Sequence, residues 1–400
     1  MRKFTALAFV ALLLISLIDF LSGKLFLAVQ DSDFLTAFPN FEISNLVGRP
    51  EFYRNTLAEQ WMGQEYWQYG PMHQFITIPL YLLPSVYLVT TLLLIVLSLL
   101  YIQSIITYVL IIDPVDLNIS KIQSLFLILV VFYPFLAAIN QRNLEIVEVF
   151  LVVIAASYHR KSNFFMSGFI VGLAGGIKFL PLIIVLLFIL EKNRKALLGF
   201  LLSFLPQIFL AQLMFGWERS FTYKLLSEGE SETIPLRQGL ADVILRLLGN
   251  NGGNYNLVYL IIALLVSLSS FVLLLKFFRV QQNVEERWRI WSFVLAFVCL
   301  IVPHSNNYYF VLFVPLIIDI FFDIQRNKER IDFFLYFFGL VLVSAPLPIA
   351  LLWRLLPESE MDMGQIALQQ IQSLSPMFFG GLLLLILAIK NSKSILKLPT

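Results

Sequence analysis

Apolar runs, several of them long enough to cross a lipid bilayer, recur along the whole of this 400-residue sequence. A spanning helix needs about 20 apolar residues, because the bilayer core is about 30 Å thick and gives the backbone no hydrogen-bond partner. Hydrophobic residues make up 59% of the chain and charged residues only 14%. Soluble domains carry about 25% charged residues. The sequence therefore predicts an all-α, polytopic transmembrane helical bundle that forms a single integral membrane domain over residues 1–400.

The lengths of the runs predict about 10–13 membrane segments. The first run follows the basic residues Arg2 and Lys3, as in a signal peptide, but no small-residue cleavage site is evident. We read it as a retained helix. The stretch 164–190 predicts two short helices that meet at a polar bend. The apolar runs cover residues 4–22, 84–112, 122–139, 144–158, 164–177, 179–190, 196–214, 255–275, 291–303, 308–324, 331–353 and 375–389.

The charges between the runs predict the orientation in the membrane. If the spans alternate, the basic clusters share one side with both termini, and the positive-inside rule makes that side the cytoplasm. The other polar features, among them the loops 30–75 and 215–254, then gather on the extracytoplasmic face. The basic clusters are HRK (159–161), EKNRK (191–195), RWR (287–289), QRNKER (325–330) and KNSK (390–393).

Charge and cysteine content exclude several classes of site. The net charge of +2 is too small to indicate a nucleic-acid partner. Cys299 is the only cysteine and lies in an apolar run, which excludes disulfides and cysteine-based metal sites. Two neighbouring acids, Asp31 and Asp33, have no identifiable third ligand. We therefore predict no metal and no cofactor.

Asp31 and Asp33 stand where the first apolar run leaves the membrane, in the stretch QDSDF. The headgroup region solvates such acids, so this pattern is also typical of the polar edge of a helix. A carboxylate at the same place is suited to act as a general base toward a sugar hydroxyl.

The loop that follows interleaves aromatic and amide side chains, as in WMGQEYWQYG (61–70). Aromatic residues at this depth often form only an interfacial belt. Trp67 and Tyr69 also suit a sugar-binding surface, because aromatic faces stack on pyranose C–H groups while amides bond to hydroxyls. Both interpretations stay open on the residues alone.

Polar residues also interrupt the apolar runs in AINQRNLEIVEVF (138–150). Ionisable groups at membrane depth are costly and usually face a cavity or a partner. Gln141, Arg142 and Asn143 are therefore candidate site residues, although Arg142 can also extend to the surface and amides can cap a helix.

Lys178 in GLAGGIKFLP stands alone, away from the basic clusters. A cation there is placed for a phosphate or pyrophosphate headgroup, and the glycines before it permit close backbone approach. A lysine that extends to the interface is the structural alternative. Arg237 and Gln238 begin an amphipathic stretch suited to the interface. His304 in PHSNNYY is placed to bond a phosphate or to position the acceptor, although a lone histidine is usually structural.

Five segments in this order resemble glycosyltransferase family 87, the polyprenyl-phosphate-mannose-dependent mannosyltransferases of the C-type glycosyltransferase fold. Together they extend over roughly residues 30–320. The segments are SDFLTAFPNFEISNLVGRPEFY (32–53), WQYGPMHQFITIPLYLLP (67–84), the stretch from NQRN to the end of the bend (140–190), RQGLADVILRLL (237–248) and VPHSNNYY (302–309).

This resemblance implies an inverting transferase of the cell envelope that takes part in glycolipid biosynthesis. Asp33 is then the catalytic base and Asp31, which has no counterpart, a solvated interface acid. The donor is a polyprenyl-phosphate hexose, most simply mannose, and the acceptor a glycolipid or glycan. The implied phosphate-binding residues are Lys178, Arg142 and His304, and the implied substrate-binding residues are Gln141, Asn143, Tyr69, Trp67, Arg237 and Gln238.

The rival hypothesis is a secondary transporter or a flippase for lipids or lipid-linked sugars. A transporter is expected to show repeat symmetry and ionisable residues near the bilayer midplane. We see no convincing repeat, and the polar groups gather on one face. A structural scaffold does not explain Lys178 or the amides of that face. We predict a multi-pass protein of the plasma (inner) membrane.

Overall fold

The computed structural model describes the chain in stretches separated by gaps, and its secondary-structure elements are helices, which confirms the all-α prediction. The predicted loop residues 30–71 lie outside the described residues, as does most of 215–254. The described residues are 72, 75, 76, 86–112, 125, 128, 129, 132–140, 143–215, 238–248, 289–302, 305–327, 329–349 and 361–395.

The chain divides into two compact units. The N unit contains Thr5–Thr107 and Ala138–Leu225, and the C unit contains Met1–Phe4, Tyr108–Ala137 and Leu226–Thr400. The α-helices are α1 (Val86–Ile112), α2 (Tyr133–Asn140), α3 (Glu145–Arg160), α4 (Phe164–Gly175), α5 (Ile183–Leu190), α6 (Arg194–Phe215), α7 (Leu240–Leu248), α8 (Ile290–Ile301), α9 (Val314–Asn327), α10 (Arg330–Val343), α11 (Met361–Ser373) and α12 (Pro376–Ile395).

Short polar turns separate the apolar helices of the N unit. The turn after α3 contains Ser162 at a φ of 59°, and the side chain of Asn163 then caps α4 by accepting from the backbone N–H of Met166 at 3.3 Å. After α4 the chain turns at Gly176 and passes through a 3-10 helix, Leu180–Leu182, into α5. The predicted pair of short helices around Lys178 is thus confirmed.

Helix α4 packs against α3 on one side and α6 on the other. The contact with α6 uses glycine, because a Cβ atom at Gly168 would overlap the carbonyl oxygen of Ala196 and one at Gly199 would overlap that of Phe165. Such close backbone approach is common between helices in membranes, where small residues permit the van der Waals packing that drives helix association.

In the C unit, α12 packs along α10 and also contacts α8 and α9. A charged network lies at the start of α8 and the end of α9. Arg289 donates to Asp319 at 3.3 Å and to Asp323 at 2.9 Å, and Asp319 also accepts from Tyr108 at 2.8 Å. Lys390, near the end of α12, bonds Asp332 of α10 at 2.5 Å.

Two of the described helical stretches, Leu92–Ile112 and Asn307–Arg326, are long and apolar enough to cross a membrane. A bent pair, Ile366–Ser373 with Pro376–Asn391, meets the same criteria together, with a 40° bend at its break. These stretches, with the apolar composition, make the protein an integral membrane protein. The number of spans and the sides of the termini stay predictions.

Candidate functional site

A buried ion pair joins two segments of the N unit. Glu145 is the first residue of α3, and Lys178 lies in the turn between α4 and the 3-10 helix. The ammonium of Lys178 donates a hydrogen bond to Oε1 of Glu145, and 4% of the lysine side chain and 0% of the glutamate side chain are exposed. A charge at such depth needs a partner, because desolvation of an isolated ion is far more costly than that of a pair.

Glu148 adds a second carboxylate one helical turn further along α3. Its side chain is fully buried, and the backbone N–H of Lys178 is directed at its carboxylate. It interacts electrostatically with both Glu145 and Lys178. We call Glu145, Glu148 and Lys178 the charge cluster. With all three groups ionised the charge cluster carries one net negative charge in otherwise apolar surroundings.

The backbone that precedes Lys178 is held in place. The carbonyl of Gly176 accepts from the N–H of Met72 at 2.6 Å, and Gln207 of α6 donates to the carbonyl of Gly172 at 3.2 Å. A Cβ atom at Gly176 would overlap the amide oxygen of Gln207, so the close approach requires glycine. The turn that contains Lys178 is therefore held by contacts with Met72 and with Gln207 of α6.

A second polar contact, between His159 and Glu191, lies at the other end of α3. His159 and Glu191 are 3.1 Å apart, and the His159 ring stacks on Phe188 with their centroids 6.1 Å apart. Glu145 and His159 are separated by about 21 Å along the helix at 1.5 Å per residue. The charge cluster is thus at the end of α3 remote from the basic clusters at 159–161 and 191–195.

The C unit contains a group of buried neutral polar side chains. Asn307 and Gln372 each donate from their amide nitrogen to the hydroxyl of Tyr133 at 3.1 Å. Gln238 donates from its side chain to the Gln372 carbonyl at 2.8 Å and from its backbone to the Ser305 carbonyl at 2.6 Å. We call these five residues the amide cluster; their exposures are 0–5%.

Three of the sequence-predicted site residues fall within the described part of the chain: Asn143, Lys178 and Gln238. Asn143 is buried in the N unit, where its backbone N–H donates to the Ala138 carbonyl at 2.8 Å and closes the turn between α2 and α3. The remaining predictions lie outside the described residues: Asp33, Trp67, Tyr69, Gln141, Arg142, Arg237 and His304.

The sequence analysis left Glu145 and Glu148 without a role within the stretch 138–150, and it did not identify the members of the amide cluster Tyr133, Asn307 and Gln372. Glu148 could have been predicted as a site residue from the sequence, because an acid inside an apolar helix is costly without a function or a partner. Tyr133 could not, since tyrosine is common in apolar runs near an interface. Within the described residues, no group of three or more His, Cys, Asp and Glu side chains is arranged to hold a metal ion.

Comparison with known proteins gives one family match. The model of glycosyltransferase family 87 matches residues 67–303, which is more than half of the chain and includes the charge cluster. The comparison with curated proteins gave no match.

Among solved structures, the chain is similar to ArnT from Cupriavidus metallidurans, a crystal structure with bound undecaprenyl phosphate. The sequence identity is 11%, and the match covers 82% of this chain and 68% of ArnT. The TM-score is 0.38, which is too low for the likeness to support a conclusion about this chain.

Proposed function

The chain belongs to glycosyltransferase family 87, and we propose that it transfers a hexose, specifically mannose, from a polyprenyl-phosphate donor to a glycolipid or glycan acceptor. The reaction takes place on the extracytoplasmic face of the plasma membrane. The observation that carries the proposal is the family match over residues 67–303, since that range includes a buried lysine in the turn after α4 and two buried carboxylates of the apolar helix α3.

The proposed reaction is a single displacement at the anomeric carbon. Asp33 accepts the proton of an acceptor hydroxyl as the oxygen attacks, which is the role that general base catalysis gives a positioned carboxylate. The new C–O bond forms as the bond from the anomeric carbon to the phosphate oxygen breaks. The polyprenyl phosphate leaves with the bonding electrons, and the anomeric configuration inverts.

Charge develops on the leaving phosphate during this step, so cations placed near it lower the barrier. We assign that role to Lys178, Arg142 and His304. Gln141 and Asn143 orient the substrates.

The remaining predicted residues hold the sugars. Trp67 and Tyr69 stack on a sugar ring. Arg237 and Gln238 contact the acceptor.

The pairing of Lys178 with Glu145 is compatible with phosphate binding. An ammonium group has three N–H donors, and the bond to Oε1 of Glu145 uses one of them. In the proposed complex a phosphate oxygen shares the ammonium of Lys178 with Glu145. Glu145 then acts as a positioning residue, because it fixes where the ammonium of Lys178 lies.

The test is a transfer assay on membranes that carry the protein, with labelled polyprenyl-phosphate mannose and a panel of candidate glycolipid acceptors. Asp33→Asn is expected to lower product formation about 100-fold or more, since it removes the proton acceptor. Asp31→Asn is the matched control and is expected to retain activity. Equal product from the wild type and Asp33→Asn would contradict the assignment of the base. If no acceptor leads to consumption of the donor, the donor assignment is wrong.

A further inference from the structure

We propose that the amide cluster of the C unit (Tyr133, Gln238, Ser305, Asn307 and Gln372) is a binding subsite for the hydroxyl groups of the acceptor's sugar ring. This inference rests on the proposed function, since it names the part of the enzyme that recognises the acceptor. Four separate segments of the chain supply the side chains, and the hydrogen bonds that join them are between neutral groups.

The hydrogen bonds at Tyr133 leave acceptor atoms without donors. A phenol hydroxyl carries one hydrogen, so it can donate to one amide oxygen at most. At least one of the amides of Asn307 and Gln372 must therefore donate its N–H to Tyr133 and direct its oxygen elsewhere. In the structure both amides donate, at 3.1 Å each.

The atoms that remain are Oδ1 of Asn307, Oε1 of Gln372 and Oγ of Ser305. All three are buried, and none has a hydrogen-bond partner among the described residues. A buried polar atom without a partner is costly, because it has lost its hydrogen bonds to water. A cluster with three such atoms is therefore expected to take up a partner that donates hydrogen bonds.

The chemistry of these atoms identifies the class of ligand. Amide oxygens accept hydrogen bonds and repel anions, so the cluster is unsuited to a phosphate or a carboxylate. A sugar ring presents several O–H donors on neighbouring carbon atoms and matches a set of closely placed acceptors. Because the polyprenyl phosphate of the donor requires cations, the neutral cluster fits the acceptor sugar better than the donor.

The position of the cluster agrees with this assignment. Gln238 directly follows Arg237, and Asn307 follows His304 by three positions, so the cluster is continuous in sequence with two predicted site residues. Gln372 precedes α12, whereas Lys390 lies near the other end of the same helix, in the basic cluster 390–393. The amide cluster is therefore at the end that the charge pattern assigns to the extracytoplasmic side.

The test uses the full-length protein in lipid nanodiscs and methyl α-mannopyranoside as the probe, with saturation-transfer NMR as the readout. The matched ligand control is the tetra-O-methyl ether of the same glycoside, which keeps the ring but has no O–H donors. We expect saturation transfer to the free glycoside and about a tenfold weaker signal for the ether, since each buried hydrogen bond contributes about 1 kcal/mol.

Gln372→Met and Asn307→Leu are expected to lower the signal of the free glycoside about tenfold, because each removes an acceptor at nearly constant volume. Tyr336→Phe is the matched control, since Tyr336 is another buried tyrosine of the C unit, with its hydroxyl 3.3 Å from the Ile317 carbonyl, and is expected to bind like the wild type. If either variant unfolds at a lower temperature than the wild type, Tyr133→Phe replaces it, since it removes a single oxygen.

Two results would overturn the proposal: equal binding of the glycoside and its ether by the wild type, or unchanged binding by the cluster variants. Displacement of the glycoside by excess polyprenyl-phosphate mannose would overturn the assignment to the acceptor, because the ring would then belong to the donor. The experiment requires no transfer reaction. A failed transfer assay therefore rejects the proposed reaction, whereas a failed binding assay rejects the sugar-binding role of the amide cluster.

Discussion

Glu145 and Lys178 lie 33 positions apart in the chain and form an ion pair with almost no exposure of either side chain. A second pair, His159–Glu191, joins the same two segments at 3.1 Å. Because the sequence numbers rise together from one pair to the next, α3 and the segment from Lys178 to Glu191 run in the same direction. The two pairs fix their relative register at both ends, and the charge cluster is held at the end remote from the basic residues.

Breaking the pair from one side is expected to destabilise the protein strongly. Lys178→Met leaves the buried carboxylates of Glu145 and Glu148 without their cation, a change that typically costs about 3–5 kcal/mol. Equilibrium unfolding in mixed micelles measures the free energy of unfolding. Glu329→Gln is the control, because the Glu329 side chain is 55% exposed in its 2.9 Å pair with Lys390, and such pairs contribute about 1 kcal/mol or less. Equal losses at both sites would contradict the burial argument.

Removing both partners separates a structural role of Lys178 from a role in catalysis. The double variant Glu145→Gln with Lys178→Met is expected to be more stable than Lys178→Met alone, since it leaves one buried carboxylate, Glu148, without a cation in place of two. Its transfer rate from polyprenyl-phosphate mannose is nevertheless expected to fall about 100-fold, because the cation at the leaving phosphate is absent. Lys161→Met, at an exposed lysine of a basic cluster, is the control. A folded double variant with normal activity would reject phosphate binding by Lys178.

The network around Arg289 is expected to stabilise the C unit. Burial lowers the pKa of the Arg289 guanidinium, but the charges of Asp319 and Asp323 more than offset this and raise the pKa above its usual value. A base with a raised pKa loses its stabilising effect only when the pH rises through the pKa of the folded state, so the contribution of Arg289 is expected to stay constant from neutral to moderately alkaline pH. Arg289→Met is expected to cost about 3–5 kcal/mol, since it leaves buried Asp319 without its cation.

The control for that change is Arg326→Met. Arg326 lies 3.8 Å from Asp323, but its side chain is 51% exposed, so a loss of about 1 kcal/mol or less is expected. The measurement is again the free energy of unfolding in mixed micelles. A larger loss at Arg326 than at Arg289 would show that the network does not act through its buried part.

The sequence allowed the prediction of helices and of breaks between them, because both depend on local patterns. The run at 196–214 became α6, and the polar bend predicted within 164–190 is the turn after α4. The partner of Lys178 was not predictable, since Glu145 comes from a distant segment and three-dimensional packing brings the two together. The same holds for Tyr133 and Gln372, which are 239 positions apart and hydrogen-bonded.

The starts and ends of helices were predicted less well than their existence. The run at 308–324 was expected to be one helix, but Asn307–Phe313 forms a 3-10 helix before α9 begins at Val314. The run at 331–353 also ends early, since α10 stops at Val343 and Ser344 follows it as the cap. Pro346 and Pro348 lie just beyond, where their missing N–H groups disfavour continuation of the helix.

The orientation in the membrane is the prediction on which the outer-face assignment depends. Helix α6 begins inside the basic cluster 191–195 and has 22 residues, so it is about 33 Å long, enough to cross the bilayer core. A reporter fused after residue 160 is therefore expected on the cytoplasmic side, and one fused after residue 230 on the opposite side. Green fluorescent protein should be fluorescent only at the first position, and alkaline phosphatase should be active only at the second. Signals from the same side at both positions would place Lys178 and the loop 215–254 on different faces of the membrane. That result would contradict the proposal that the site residues share the extracytoplasmic face.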